Sequence, residues 1–181
     1  MRIISGKCRG LNLESLSGDN TRPTLDRVKE SVFNILGNIF FDIEVLDLFA
    51  GSGALGLETL SRGAKSCDFV DSSKDAVNII KKNIAKCRVE DISKVHLCDY
   101  NSAINKFNDK SFDLVFLDPP YGKDMGISAI NKLDRVVKDN GIVILETDSI
   151  DNVPDKIDCF IKYDVRKYGR VVISFFRKAV L

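Results

Sequence analysis

Residues 45–56 read Val45-Leu-Asp47-Leu-Phe-Ala-Gly51-Ser-Gly53-Ala-Leu-Gly56, an apolar strand that breaks into a glycine-rich turn and then an apolar helical run. Glycines at a strand-to-helix turn let the backbone approach a ligand where β-carbons would collide. Gly51, Gly53 and Gly56 keep the GxGxxG spacing. Asp71 ends the next apolar run 20 residues after Gly51, where a carboxylate can accept both hydroxyls of a ribose. Tight packing alone would explain the glycines but not the strand, turn, helix and distal acid in this order. The segment predicts a strand-helix-strand unit that binds a nucleoside-containing ligand.

The same alternation continues on the carboxyl side. Strands are expected near 45–49, 67–71, 94–98, 112–118 and 141–146, with helices at 54–62, 74–86, 101–107 and about 125–137. Each of these strands reads as buried on both faces, which calls for a parallel sheet covered by helices on both sides. Runs at 158–166 and 171–177 have no long helix between them and read as an antiparallel pair at the sheet edge. On the amino side, short alternating runs around Gly6 suggest a β-hairpin. Val28, Val32, Ile35, Leu36 and Ile39 keep a helical period behind Pro23, leaving Arg27, Glu30 and Asn34 nearer solvent. The expected architecture is α/β: a doubly wound, Rossmann-like, mostly parallel sheet with an antiparallel edge pair, plus an N-terminal hairpin and helix. It forms one domain over 1–181, with 1–41 as the N-terminal appendage and 42–181 as the core.

A chain of 181 residues suits a single core, and 44% hydrophobic residues with only 4 Pro exclude disordered and collagen-like classes. No apolar stretch approaches the roughly 20 residues of a membrane span, and Met1-Arg2 leads into no signal-peptide core, so a cytoplasmic protein without membrane contact is expected. Cysteines at 8, 67, 87, 98 and 159 form no CxxC pair and His96 is the single histidine. Neither disulfides nor a metal site is expected. Net charge of +1 hides a segregation: residues 160–181 carry six basic side chains against Asp164, residues 1–41 carry six against four acids, and the middle is acidic. Such ends suit a polyanion and such a centre a small cationic ligand.

GxGxxG alone would also fit a nicotinamide dinucleotide. Asp47, four residues before Gly51, would repel a pyrophosphate there but attract a methionine α-ammonium, which favours S-adenosylmethionine. Asp99, just past the third strand, can accept from an adenine amino group, and Tyr100 or Asn101 beside it can offer a ring face or a backbone amide. Each of these could equally cap a loop. A second signal is Asp118-Pro119-Pro120-Tyr121 at the end of the fourth strand. Two prolines can continue neither ladder nor helix, so the chain leaves in a rigid extended form with the Asp118 carboxylate and the Pro119 carbonyl directed at one point. That point suits an amino group. Accepting its two hydrogens makes the nitrogen more nucleophilic, and Tyr121 offers a face on which a flipped base can stack.

Asp118-Pro-Pro-Tyr121 after a glycine-rich first turn resembles the amino-methyltransferases that use S-adenosylmethionine. Arg2-Ile-Ile-Ser-Gly-Lys-Cys-Arg-Gly10, Arg22-Pro-Thr-Leu-Asp-Arg-Val-Lys-Glu-Ser-Val-Phe-Asn34, Leu46-Asp-Leu-Phe-Ala-Gly-Ser-Gly-Ala-Leu-Gly-Leu-Glu58 and Ser61-Arg-Gly-Ala64 together resemble the bacterial family that methylates N2 of one guanine in 16S ribosomal RNA. The resemblance runs from residue 2 to about 177. It implies that Asp47, Gly51, Gly53, Asp71 and Asp99 bind S-adenosylmethionine and that Asp118 and Tyr121 serve the guanine amine. It also implies a substrate RNA already assembled into the small ribosomal subunit. The chain departs from the family in carrying Asp71 where a Glu is expected, which keeps a ribose-binding carboxylate.

Two other readings stay open on the residues alone. One is an adenine-N6 or protein-glutamine amino-methyltransferase, since the four-residue motif reads an amine and not a ring. The other is a methyltransferase-like RNA-binding protein without turnover, against which the intact Asp47, Asp118 and Tyr121 argue. Basic residues near the two ends, Arg9, Arg22, Lys29, Arg166, Lys167 and Arg170, are expected to contact phosphates beside the pocket. The protein is expected to act as a monomer.

Overall fold

The computed structural model describes residues 1–16, 23–120 and 124–180. Its frame is an eight-stranded sheet in the order β3-β2-β1-β4-β5-β8-β7-β6. β1 (Glu44–Asp47), β2 (Ser66–Asp71), β3 (Ser93–Leu97), β4 (Phe112–Leu117) and β5 (Val137–Asp148) are parallel. β6 (Lys156–Ile157), β7 (Phe160–Tyr168) and β8 (Val171–Lys178) add an antiparallel flank, with β8 inserted between β5 and β7. The expected edge pair is therefore three strands. β3 is only partly buried because it forms the opposite edge, where one side has no neighbour, so it is not covered on both faces as the pattern of its siblings suggested.

Alternation of side chains about the strands splits the core in two. One face carries Val45, Phe69, Phe116, Ile144 and Phe175 and is covered by α1 (Pro23–Leu36), α2 (Ala54–Ser61) and α3 (Lys74–Cys87). The other carries Leu46, Val70, Val115, Leu145 and Phe176 under α4 (Tyr100–Lys106) and α5 (Met125–Ile130). α5 stops well short of 137: the chain turns at 131–136, and Val137 already pairs with Phe112 as the start of β5.

The N-terminal segment is a hairpin only in outline. A single bridge joins Arg2 to Asn12, and main-chain bonds run from Ile3 to Leu11 and from Leu13 to Met1. Side chains of the core fasten it. The buried Glu58 accepts the amides of Ile4 at 2.8 Å and Ser5 at 3.0 Å, Ser61 Oγ accepts the Cys8 amide, and Asn83 bonds the main chain of Glu14 in both directions. At Gly6, with φ +84°, a β-carbon would lie 1.8 Å from the Ser61 carbonyl oxygen, so this approach of two backbones needs glycine. Ile3 and Leu13 are core residues, which makes the segment part of the domain's packing.

Candidate functional site

The carboxyl ends of the parallel strands open into a cleft of about 600 Å³. Every parallel strand delivers an acid there: Asp99 after β3, Asp71 from β2, Asp47 from β1, Asp118 after β4 and Glu146 from β5. α2 leaves β1 toward one face of the sheet and α5 follows its neighbour β4 on the other, so the loops after these two strands diverge at this edge and leave a crevice.

The glycine turn is built by those acids. Asp47 is 2% exposed and accepts the Gly56 amide at 3.0 Å. Burial pushes its carboxyl up to about 7; the Gly56 hydrogen bond works against that rise and the charge of Asp71 adds to it. Asp71 accepts the Gly51 amide at 2.9 Å with one oxygen and the Ser73 amide at 2.8 Å with the other. Gly51 has φ +54° and nothing within 4 Å of where a β-carbon would stand, while Gly53, at φ +78°, begins α2. At Gly56 a β-carbon would lie 2.4 Å from the Phe69 ring and 2.6 Å from Cys67 Sγ. The three glycines thus have three duties: an open approach, a left-handed turn, and close packing of α2 on β2.

Asp99 is the N-cap of α4, accepting the Ser102 amide at 3.0 Å and the Ser102 hydroxyl at 2.6 Å; these bonds hold its carboxyl below the usual range. It remains exposed on the cleft wall. Tyr100 bonds Ser128 through its hydroxyl at 3.1 Å and sets its ring 5.4 Å from that of Phe49. Phe49, which sequence reasoning passed over as strand core, joins the wall as a half-buried ring. Glu146 was passed over too, although a charge at the end of the apolar run Ile142–Leu145 is the same signal that singled out Asp118.

Asp118 and Pro120 are exposed at the cleft and Pro119 is buried between them. Tyr121 and Arg22 lie outside the described residues. Among the basic residues, Arg9 does not stand beside the cleft as expected: it is exposed on the turn of the N-terminal segment, where Lys7 and Cys8 bond Ser61 at the end of α2 that points away from the cleft. Arg166 and Lys167 are exposed near the β7–β8 turn, and Arg170 sits in it. Asp148 pairs with Val171 across β5 and β8, so this turn stands at the same edge of the sheet as Asp118. Arg166 pairs with Asp164 at 2.9 Å and Arg170 with the buried Asp148 at 2.6 Å.

Lys29 does not fit the expected phosphate-contacting set. It is 3% exposed, its ammonium lies 3.2 Å from Glu58 and donates to the Arg2 carbonyl at 2.5 Å. Burial holds it below its ordinary range while Glu58 pulls it back up. On α1, residue 29 lies one turn before Val32 and two before Leu36, inside the apolar stripe, which places the charge in the core where it needs an anion.

The arrangement can hold a ligand with a cationic group over Asp47, hydroxyls over Asp71 and a planar group against Phe49 and Tyr100, with a second, donor-rich group at Asp118. The family described as conserved hypothetical protein 95 matches residues 1–177. The chain is 40% identical over 152 residues to ribosomal RNA small subunit methyltransferase D of Haemophilus influenzae, covering 82% of this chain and 79% of that protein. It is 32% identical over 158 residues to the protein of the same name from Escherichia coli (strain K12), covering 85% and 78%. The solved structure of yhhF from Escherichia coli aligns with a TM-score of 0.88 and 30% identity over 100% of this chain and 99% of that one. The doubly wound fold is that of the S-adenosylmethionine-dependent methyltransferases, and the chain belongs to the conserved hypothetical protein 95 family, with ribosomal RNA methyltransferases among its relatives.

Proposed function

We propose that this protein methylates the exocyclic N2 amine of a guanine in 16S ribosomal RNA, using S-adenosylmethionine and acting on the assembled small ribosomal particle. The observation that carries the reading is the meeting, in one cleft, of the glycine turn held by Asp47 and Asp71 with the Asp118-Pro119-Pro120 exit from β4. Relatives named for small-subunit ribosomal RNA methylation at 40% and 32% identity support the substrate class.

The residues fit the cofactor. Gly51 leaves its approach open, and a buried carboxylate raised to about 7 gains from a cation beside it. Asp47 would favour the methionine ammonium, Asp71 the ribose hydroxyls, Asp99 the adenine amine, and Phe49 with Tyr100 the faces around it. S-adenosylmethionine bound there supplies an electrophilic methyl group on sulfur. Asp118 and the Pro119 carbonyl accept hydrogen bonds from the two N–H groups of the target amine, fix its direction and leave its lone pair for bond formation. The proton that the nitrogen must shed once methylated passes to Asp118. Tyr121, next but one after Pro119 in the chain, stacks on the base. Arg166, Lys167 and Arg170 hold phosphates around the opening, with Arg22 adding a further charge.

The deciding experiment incubates the protein and labelled S-adenosylmethionine with free 16S RNA and, separately, with small ribosomal subunits lacking the modification, then digests the RNA and identifies the labelled nucleoside. N2-methylguanosine from the subunits is expected. Label in N6-methyladenosine, or label in protein alone, would replace this reading with one of its rivals.

A further inference from the structure

We infer that Glu146 selects the ring of the target base, accepting the N1–H of guanine beside the amine received by Asp118; the inference rests on the guanine reading above. β4 and β5 are parallel neighbours with Leu117 opposite Leu145, so Asp118 and Glu146 each stand one residue farther along at the same level. Glu146 shares a strand face with Ile144, which packs in the core cluster beneath α1. Both acids line the same cleft. Adjacent strands lie about 4.8 Å apart, close enough for two carboxylates to meet one edge of a base.

Glu146 is half-buried, so a base edge that docks on it must match a carboxylate, which only accepts. Guanine does so: its N1–H and its N2 amine are neighbouring donors. Adenine presents a lone pair at N1 beside its amine, so the same carboxylate would face an acceptor and lose hydration without compensation. A glutamine side chain has no ring donor at all. Ile173, the register partner of Glu146 on β8, and Val28 on α1 line the cleft beside it and give the ring plane an apolar setting. Asp118 alone cannot separate these substrates because it reads an amine that guanine, adenine and glutamine share. Glu146 supplies the missing discrimination by reading the atom next to that amine.

The test uses the protein saturated with S-adenosylhomocysteine and small ribosomal subunits reconstituted with RNA carrying guanine, inosine, 2-aminopurine or adenine at the target position. Inosine keeps N1–H without the amine, and 2-aminopurine keeps the amine without N1–H. The wild type should bind the guanine form about 10- to 100-fold more tightly than the 2-aminopurine form, which keeps the amine, the range of a hydrogen bond to a charged group, while the inosine form reads the separate contribution of the amine at Asp118. Glu146→Gln should abolish that preference while its melting temperature and S-adenosylhomocysteine affinity match the wild type. A wild type indifferent to N1–H, or a Glu146→Gln protein that keeps the preference, overturns the assignment. If the wild type also forms no N2-methylguanosine on small ribosomal subunits, the proposed function falls first. If it forms that product but ignores N1–H, only the role of Glu146 falls.

Discussion

The Asp47 carboxylate accepts the Gly56 amide at 3.0 Å from within the sheet, so the acid that precedes the glycine turn also fixes the first turn of the helix that follows it. The bond leaves a buried negative charge that a cation in the cleft would stabilise.

Affinity for S-adenosylhomocysteine should therefore weaken as pH falls through about 7, by up to tenfold per unit below it, because the ammonium prefers the ionised Asp47. The sign for the ligand-free protein is opposite. Its Asp47 holds a proton between about pH 4 and 7 that the unfolded chain has released, so this site's contribution to stability falls as pH rises across that window. Calorimetric titrations from about pH 5.5 to 7.5 check the first effect. An affinity that stays flat over that range, with Asp47→Asn behaving like the wild type, would remove the ammonium from Asp47.

Glu58→Ala should destabilise the fold by about 3 to 5 kcal/mol, since it strands Lys29 as a buried charge and leaves the Ile4 and Ser5 amides without their acceptor. Lys29→Ala should cost less, because Glu58 keeps Arg62 at 2.9 Å. Urea melts of the two variants rank them, and the reverse order contradicts the account.

Gly51→Ala and Gly56→Ala should fail in different ways. The first meets open space at φ +54° and should mainly weaken cofactor binding, with about 1 to 2 kcal/mol of backbone strain. The second drives a methyl into Phe69 and Cys67 and should cost about 1 to 3 kcal/mol of stability. Paired melting and binding curves separate them; similar losses in both measurements for both variants would contradict the division of duties.

Asp118→Asn should lower the rate of methyl transfer on the order of 100-fold or more while S-adenosylhomocysteine affinity stays within error of the wild type. Single-turnover rates alongside calorimetry provide both numbers. A variant with wild-type turnover would show that the amine is held elsewhere.

Replacing Arg166 and Lys167 together with Gln should flatten the dependence of log affinity for RNA on log salt, by ~0.7 to 0.9 for each phosphate no longer neutralised. Arg170 is left in place because its removal would uncover the buried Asp148. Deleting residues 1–15 is not a clean alternative, since Ile3 and Leu13 belong to the core. An unchanged salt slope in the double variant assigns these charges to solvent.

The order of strands and helices was legible because β1, β2 and β4 are short apolar runs, each with an acid at or just past its end. What the pattern hid was set by distant parts of the chain. Lys29 looked like a surface cation because its partner Glu58 is 29 residues away on another helix, although its place between Val28 and Val32 was a warning. Asp99 followed by Ser102 carries a helix-cap spacing, and the structure gives it that duty in addition to its place on the cleft wall. β6 is two residues long and leaves no periodicity to read. The three-strand flank follows from pairing with β8, which local sequence does not express.

The insertion of β8 between β5 and β7 also constrains the order in which this sheet can be assembled. β7 precedes β8 in the chain yet reaches the sheet only through it. Until β8 docks, β5 presents an unpaired edge along Ile142–Leu145, an apolar template for any other extended chain nearby. β8 thus closes the site's flank and covers the edge of β5 that would otherwise invite aggregation.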